Sequence, residues 1–196
     1  ALIALAEILF NRKHFDQALT DYKQLKAKAT TTERRQLAAT GMLRSAAMMQ
    51  DDVETIAAAT DMLAEAKLTP ELRNEALYFR AKAYLNQQAD KKAMNDLQAL
   101  AKDTRTLYGA EAKYLVALQL YKAHEYAAAE KEILNFIEQS TPHAYWLARS
   151  FILLSDVYVA MDKKLDARQY LLSLQQNYHA DDDIEQMINE RLEKLK

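Results

Sequence analysis

The chain is 196 residues long, 50% apolar and 28% charged, with 26 lysines and arginines against 28 aspartates and glutamates. That near-balance excludes a general field for drawing in nucleic acid or anionic lipid. Two glycines, two prolines and no cysteine exclude clustered-glycine phosphate loops, hairpin-rich β folds, disulfides and zinc-thiolate centres.

The opening run ALIALAEILF has no basic segment before it, and Glu7 interrupts it, so it does not read as a secretory signal. No stretch approaches the ~20 apolar residues of a membrane span, so no direct membrane insertion is expected. Ala1 reads as the cut edge of a longer protein, of which this chain is the C-terminal part.

In chain order, Leu2, Leu5, Ala6 and Leu9 share one helical face; the polar break NRKHFD follows, then a second stripe of Ala18, Leu19, Tyr22 and Leu25. A second unit aligns on Arg44, Ile56 and Leu63, and a third on Ala81, Ala93 and Leu100. Thr69-Pro70-Glu71 opens the third unit as a threonine cap with proline in the first turn. A fourth unit carries Ala117, Ala129 and Phe136. The fifth opens on Thr141-Pro142-His143 and carries Ser155, Ala167 and Leu174. Within every unit the spacing is constant, while the steps between Ala6, Arg44, Ala81, Ala117 and Ser155 are 38, 37, 36 and 38 residues. Slack confined to the connectors is what stacked helical hairpins show. The units span about 1–29, 32–66, 70–102, 107–139 and 143–177. Behind them, Asp181, Asp182 and Asp183 precede an amphipathic helix over about 181–195, with Ile184, Met187, Ile188, Leu192 and Leu195 on one side. The acids suit a helix N-terminus, and the helix suits the open end of a stack.

No catalytic constellation accompanies this architecture. His14, His124, His143 and His179 fall in turns and connectors, with no metal-binding spacing between them. Ser155 aligns with alanines where helices cross and has no elbow glycine. The three consecutive acids point in different directions once a helix begins. Arg34-Arg35, Lys91-Lys92 and Lys163-Lys164 are short and flanked by acids. The expectation is a protein without enzymatic activity, cofactor, metal or nucleic-acid partner.

The pattern resembles the tetratricopeptide repeat family. FILLSDVYVAMDKKLDARQYLLSL matches its spacing best, followed by ALYFRAKAYLNQQADKKAMNDLQAL and KYLVALQLYKAHEYAAAEKEILNF. The second unit departs, with Arg44 at a small-residue position, Ala47 at an aromatic one and Ile56 at the second helix's alanine. The resemblance implies an all-α fold: a right-handed α-α superhelix of five hairpins plus a C-terminal capping helix, as a single domain over 1–196. It further implies that the first helix of each hairpin lines a concave groove for a peptide.

Mapped by spacing, that groove holds Ile3, Glu7 and Phe10; Gly41, Ser45 and Met48; Tyr78, Lys82 and Leu85; Tyr114, Leu118 and Tyr121; and Ile152, Asp156 and Val159. The anchors expected from these are Phe10, Met48, Tyr78, Lys82, Tyr114, Leu118, Tyr121, Ile152 and Asp156. Tyrosine offers area and a polar tip at a contact surface, but Tyr78 and Tyr114 fit packing against the next unit equally well. The lysine–asparagine clamp with which some family members grip C-terminal carboxylates cannot be assembled from these residues.

The function expected is a protein-interaction scaffold. Its alternatives are a self-association module working through the N-terminal repeat, and a helical-repeat RNA binder. The overall look is similar to bacterial tetratricopeptide proteins of the cell envelope, which favours periplasm or envelope over cytoplasm.

Overall fold

The structure, a computed structural model, describes residues 2–196; Ala1, read above as a cut edge, lies outside them. Eleven α-helices and no strand occur among the described residues. They are α1 (Leu2–Asn11), α2 (Phe15–Lys28), α3 (Thr32–Met48), α4 (Asp52–Leu63), α5 (Pro70–Asn86), α6 (Asp90–Leu100), α7 (Leu107–Lys122), α8 (Tyr126–Glu138), α9 (Ala144–Ala160), α10 (Lys164–Asn177) and α11 (Ile184–Lys194). Contacts divide the chain into two compact units, Ala1–Asp96 and Leu97–Lys196. None of the helices is long and apolar enough to cross a membrane.

Local chemistry starts most first helices. The side chains of Thr31, Thr69 and Thr106 accept hydrogen bonds from the amides of Arg34, Leu72 and Gly109 at 3.3, 3.3 and 3.0 Å, and Pro70 occupies the first turn of α5. The second threonine–proline pair behaves differently. The Thr141 hydroxyl donates to the Thr104 carbonyl at 2.8 Å, and α9 begins later, after His143. Turned toward the preceding connector, Thr141 does not cap the helix.

Each first helix ends in the same turn, and none of these turns uses glycine. Lys13, Gln50, Gln88, His124 and Asp162 take left-handed backbone with φ between 56° and 65°. The amide of each bonds three residues back, and the next amide bonds five back, as in Gln50 to Ala47 and Asp51 to Ala46 at 3.0 and 3.1 Å. This is a Schellman cap.

These turns correct the register of the second repeat. Lys13, Gln50, Gln88, His124 and Asp162 step by 37, 38, 36 and 38 residues. Seven residues before each lie Ala6, Leu43, Ala81, Ala117 and Ser155, all buried. The second unit therefore aligns on Leu43, Thr55 and Met62, one residue earlier than Arg44, Ile56 and Leu63. Leu43, Thr55 and Met62 are 0%, 3% and 1% exposed. Neither Arg44 nor Leu43 is small, so residue size does not separate the two registers.

In the first unit α1 packs on α2, α2 on α3, α3 on α4 and α4 on α5, while α1, α3 and α5 lie side by side. Alanine dominates where the helices cross, with Ala6, Ala18, Ala38, Ala59 and Ala76 all at 0% exposure, so backbones approach closely. The second helices meet through long side chains instead: Lys23 pairs with Glu54 at 2.7 Å, and Lys26 with Asp61. One charged pair is buried. Arg80 donates two bonds to Asp96, at 2.8 and 2.7 Å, and a third to the Thr60 hydroxyl at 3.1 Å. Asp96 is 4% exposed, a setting in which only a bidentate partner offsets the loss of water.

In the second unit α7 packs on α8, and α9 contacts α7, α8 and α10. α11 lies against both α9 and α10, as α9 lies against α7 and α8. Its Ile184 and Ile188 complete a core with Ala148, Ile152, Leu171 and Leu174. The residues it leaves exposed are Glu185, Gln186, Asn189, Glu190, Glu193 and Lys194.

Candidate functional site

In the first unit a cleft of about 630 Å³ opens on the layer of first helices. α1 supplies Glu7, Phe10 and Asn11; α3 supplies Glu33, Gln36, Leu37, Thr40, Gly41 and Arg44; α5 supplies Leu72. The remaining lining residue, Tyr22, comes from the second helix α2. Glycine at position 41 explains its presence: a Cβ there would stand 2.4 Å from the Tyr22 ring. The missing side chain lets the ring slide beneath α3. Tyr22 is 5% exposed, and no hydrogen bond to its hydroxyl is found among the described residues. Burial, then the nearby Glu7 carboxylate, raises its pKa above the ordinary phenol value.

Polar and apolar groups alternate around this cleft. Arg44 is held by Glu75 through two bonds, at 2.5 and 2.9 Å, and Gln36 donates to the Lys67 carbonyl at 3.1 Å. The Phe10 ring is braced edge-on by Phe15, centroids 5.2 Å apart. In the corrected register Arg44 is the equivalent of Glu7, Lys82, Leu118 and Asp156, and Ala47 that of Phe10 and Tyr121. Met48, the anchor expected from the second repeat, is 55% exposed and does not line the cleft. On α5, Tyr78 meets Phe79 at 5.4 Å, and the Lys82 ammonium lies 5.8 Å from the Tyr78 centroid; both residues are half-buried and lie outside the cleft.

A second cleft, of about 470 Å³, lies in the other unit between α7, α9 and α11. Tyr121, Asp156 and Val159 line it, with Lys164, Glu190, Arg191 and Lys194 on the far side. Asp156 is engaged from within the chain: Arg191 donates two bonds to it, both 2.8 Å, so α11 takes the carboxylate expected to face a partner. Burial and the Asp156 charge raise the Tyr121 pKa. Leu118 is half-buried and outside this cleft.

Two of the expected anchors are withdrawn from the surface. Ile152 is 1% exposed in the core that α11 completes. Tyr114 is 6% exposed, tilted against Trp146 with centroids 5.5 Å apart. The Arg149 guanidinium lies 5.1 Å from the Tyr114 ring centre and donates to its hydroxyl at 3.0 Å. Of the two roles open to Tyr114, packing against the next hairpin is the one the structure displays.

Among the described residues no group of three or more acids or histidines is placed to hold a metal ion. Two of the three consecutive acids have local roles. Asp182 accepts from the Tyr178 hydroxyl at 2.6 Å and from the Ile184 amide at 3.0 Å, and Asp183 accepts from the Tyr145 hydroxyl at 3.0 Å.

No protein-family model matches the chain, and no curated protein matches it. Among solved structures the finding is different. The chain is similar to a tetratricopeptide repeat protein. That crystal structure, from Parabacteroides merdae, aligns over 97% of this chain and 83% of its own, at 14% identity and a TM-score of 0.48.

Proposed function

We propose that the chain is a non-catalytic scaffold that holds an extended or helical protein segment against its first helices. The observation that carries this reading is the cleft of the first unit, with its buried Tyr22 floor and its walls of Phe10, Leu37 and Leu72 between Glu7 and Glu33. Mixed walls over an aromatic floor suit a side chain that is apolar along its length and polar at its tip. Glycine at position 41 fits this reading, since it is what brings a ring from the rear helix to the groove surface.

The test begins with partners captured from the source cell and identified, each then purified and titrated calorimetrically. Wild type is compared with Leu37→Glu/Glu33→Lys, two changes at exposed positions that leave the cores intact. At least tenfold weaker binding of the variant, about 1.4 kcal/mol, with an unchanged melting temperature, is the expected result. A partner bound equally by both proteins removes the cleft from the function.

A further inference from the structure

A different side of α1 carries a second surface, independent of the cleft. Ala4, Leu5 and Ile8 form one stripe at helical spacing, and all three are exposed, Leu5 and Ile8 each at 48%. Counted from the left-handed turn, the place of Ile8 is taken by Ser45 in α3, Ala83 in α5 and Val157 in α9, which are 0%, 2% and 0% exposed. The place of Leu5 is taken in α9 by Leu154, 0% exposed. In α3, α5 and α9 the residues at these three places are buried or half-buried, and none is exposed.

In these three the same kind of element lies on that face, the second helix of the preceding hairpin: α2 on α3, α4 on α5 and α8 on α9. At the place of Ala4, α3 has Gly41, against which the Tyr22 ring of α2 rests. On α5, Thr60 of α4 accepts a bond from Arg80 at 3.1 Å. α1 thus presents the apolar composition of a covered face, whereas the exposed residues of α11 are polar or charged.

We infer that the Ala4–Leu5–Ile8 face of α1 is a docking surface for a helical hairpin of this same repeat kind, whose second helix lies across α1 as α8 lies across α9. α8 is the better template because it accommodates a side chain, Leu153, at the place of Ala4. In its observed position the Tyr22 ring of α2 leaves no room for a Cβ there.

The experiment adds such a hairpin to the full chain. A copy of residues 107–149 placed directly before Ala1 preserves the count from turn to turn and sets a second α8 over α1. The expected result is a melting temperature raised by at least ~3 °C, with slowed hydrogen exchange over residues 2–11. Leu5→Glu/Ile8→Glu should shift the unextended chain by no more than ~1–2 °C yet abolish the gain in the extended one. A second extension, a copy of residues 32–75, covers the case in which the first does not fold.

Failure of both extensions to raise the melting temperature overturns the inference, as does an equal effect of the double substitution in both backgrounds. If the unextended chain forms concentration-dependent dimers that Leu5→Glu/Ile8→Glu abolishes in sedimentation velocity, the occupant is a second copy and the hairpin assignment is wrong. The Leu37→Glu/Glu33→Lys titration reads the other side of α1 and leaves these outcomes untouched.

Discussion

Gly41 and Gly109 are the chain's two glycines, and both mark places where another part of the molecule comes too close for a side chain. At Gly41 the obstacle is the Tyr22 ring, which can tilt. At Gly109 it is backbone: a Cβ would stand 1.8 Å from the Asp103 carbonyl oxygen. That carbonyl is held in place by the Thr106 hydroxyl at 3.0 Å, which in turn accepts the Gly109 amide at 3.0 Å. Alanine ordinarily gains up to ~1 kcal/mol over glycine inside a helix. At position 109 overpacking outweighs the gain, so Gly109→Ala should destabilise by about 2 kcal/mol or more. Urea denaturation of the two proteins measures it, and a stabilised Gly109→Ala would mean that the connector yields freely.

At the scale of elements, the five turns between first and second helices hold left-handed residues that are not glycine. A side chain in that conformation costs on the order of 1 kcal/mol. Gln88, exposed with φ 57°, is a clean place to recover it: Gln88→Gly should raise stability by ~0.5–1 kcal/mol, read as a higher urea midpoint with an unchanged slope.

The turns also show why the sequence conveyed some features and concealed others. Apolar spacing reveals that helices pair, because burial acts on every turn of a helix. Register within the second repeat was hidden, because its crossing residue is Leu43 rather than an alanine, and because Lys, Gln, His and Asp share no side-chain signature for a left-handed turn. The site divides in the same way. Phe10, Tyr121 and Asp156 line clefts, as the facing of a single helix implies. Tyr114 and Ile152 share that facing, yet a later helix covers each, and pattern along one helix carries no record of what packs over it. Tyr22 reaches the cleft from a second helix, and its only trace in the sequence is a glycine nineteen residues on.

Taken as a whole, the molecule carries buried and half-buried phenols whose ionisation folding opposes. Burial and a hydrogen bond to Glu130 raise the Tyr158 pKa well above the ordinary value of 10.0. Burial and a hydrogen bond to Asp182 push Tyr178 up to about 12. A group whose pKa is higher folded than unfolded contributes its full stabilisation below the unfolded value and loses it as pH rises through the folded one. Stability should therefore fall steadily above pH ~10. Tyr158→Phe should cost about 1 kcal/mol at neutral pH through its lost hydrogen bond while flattening that alkaline decline. Urea midpoints at a series of pH values from neutral to alkaline check both, and a decline equally steep in the variant would place the linkage in other groups.

α11 gives the molecule one further property. Its inner side seals a hairpin with Ile184, Ile188 and the Arg191–Asp156 pair, while its outer side offers only polar groups to the surroundings. Adhesion and repulsion are thus written on opposite sides of a segment eleven residues long. Such a segment works as a cover: it fits one hairpin and offers no apolar surface of its own. It is a transferable cover, and any hairpin that offers a counterpart to Ile152 and Asp156 would accept it.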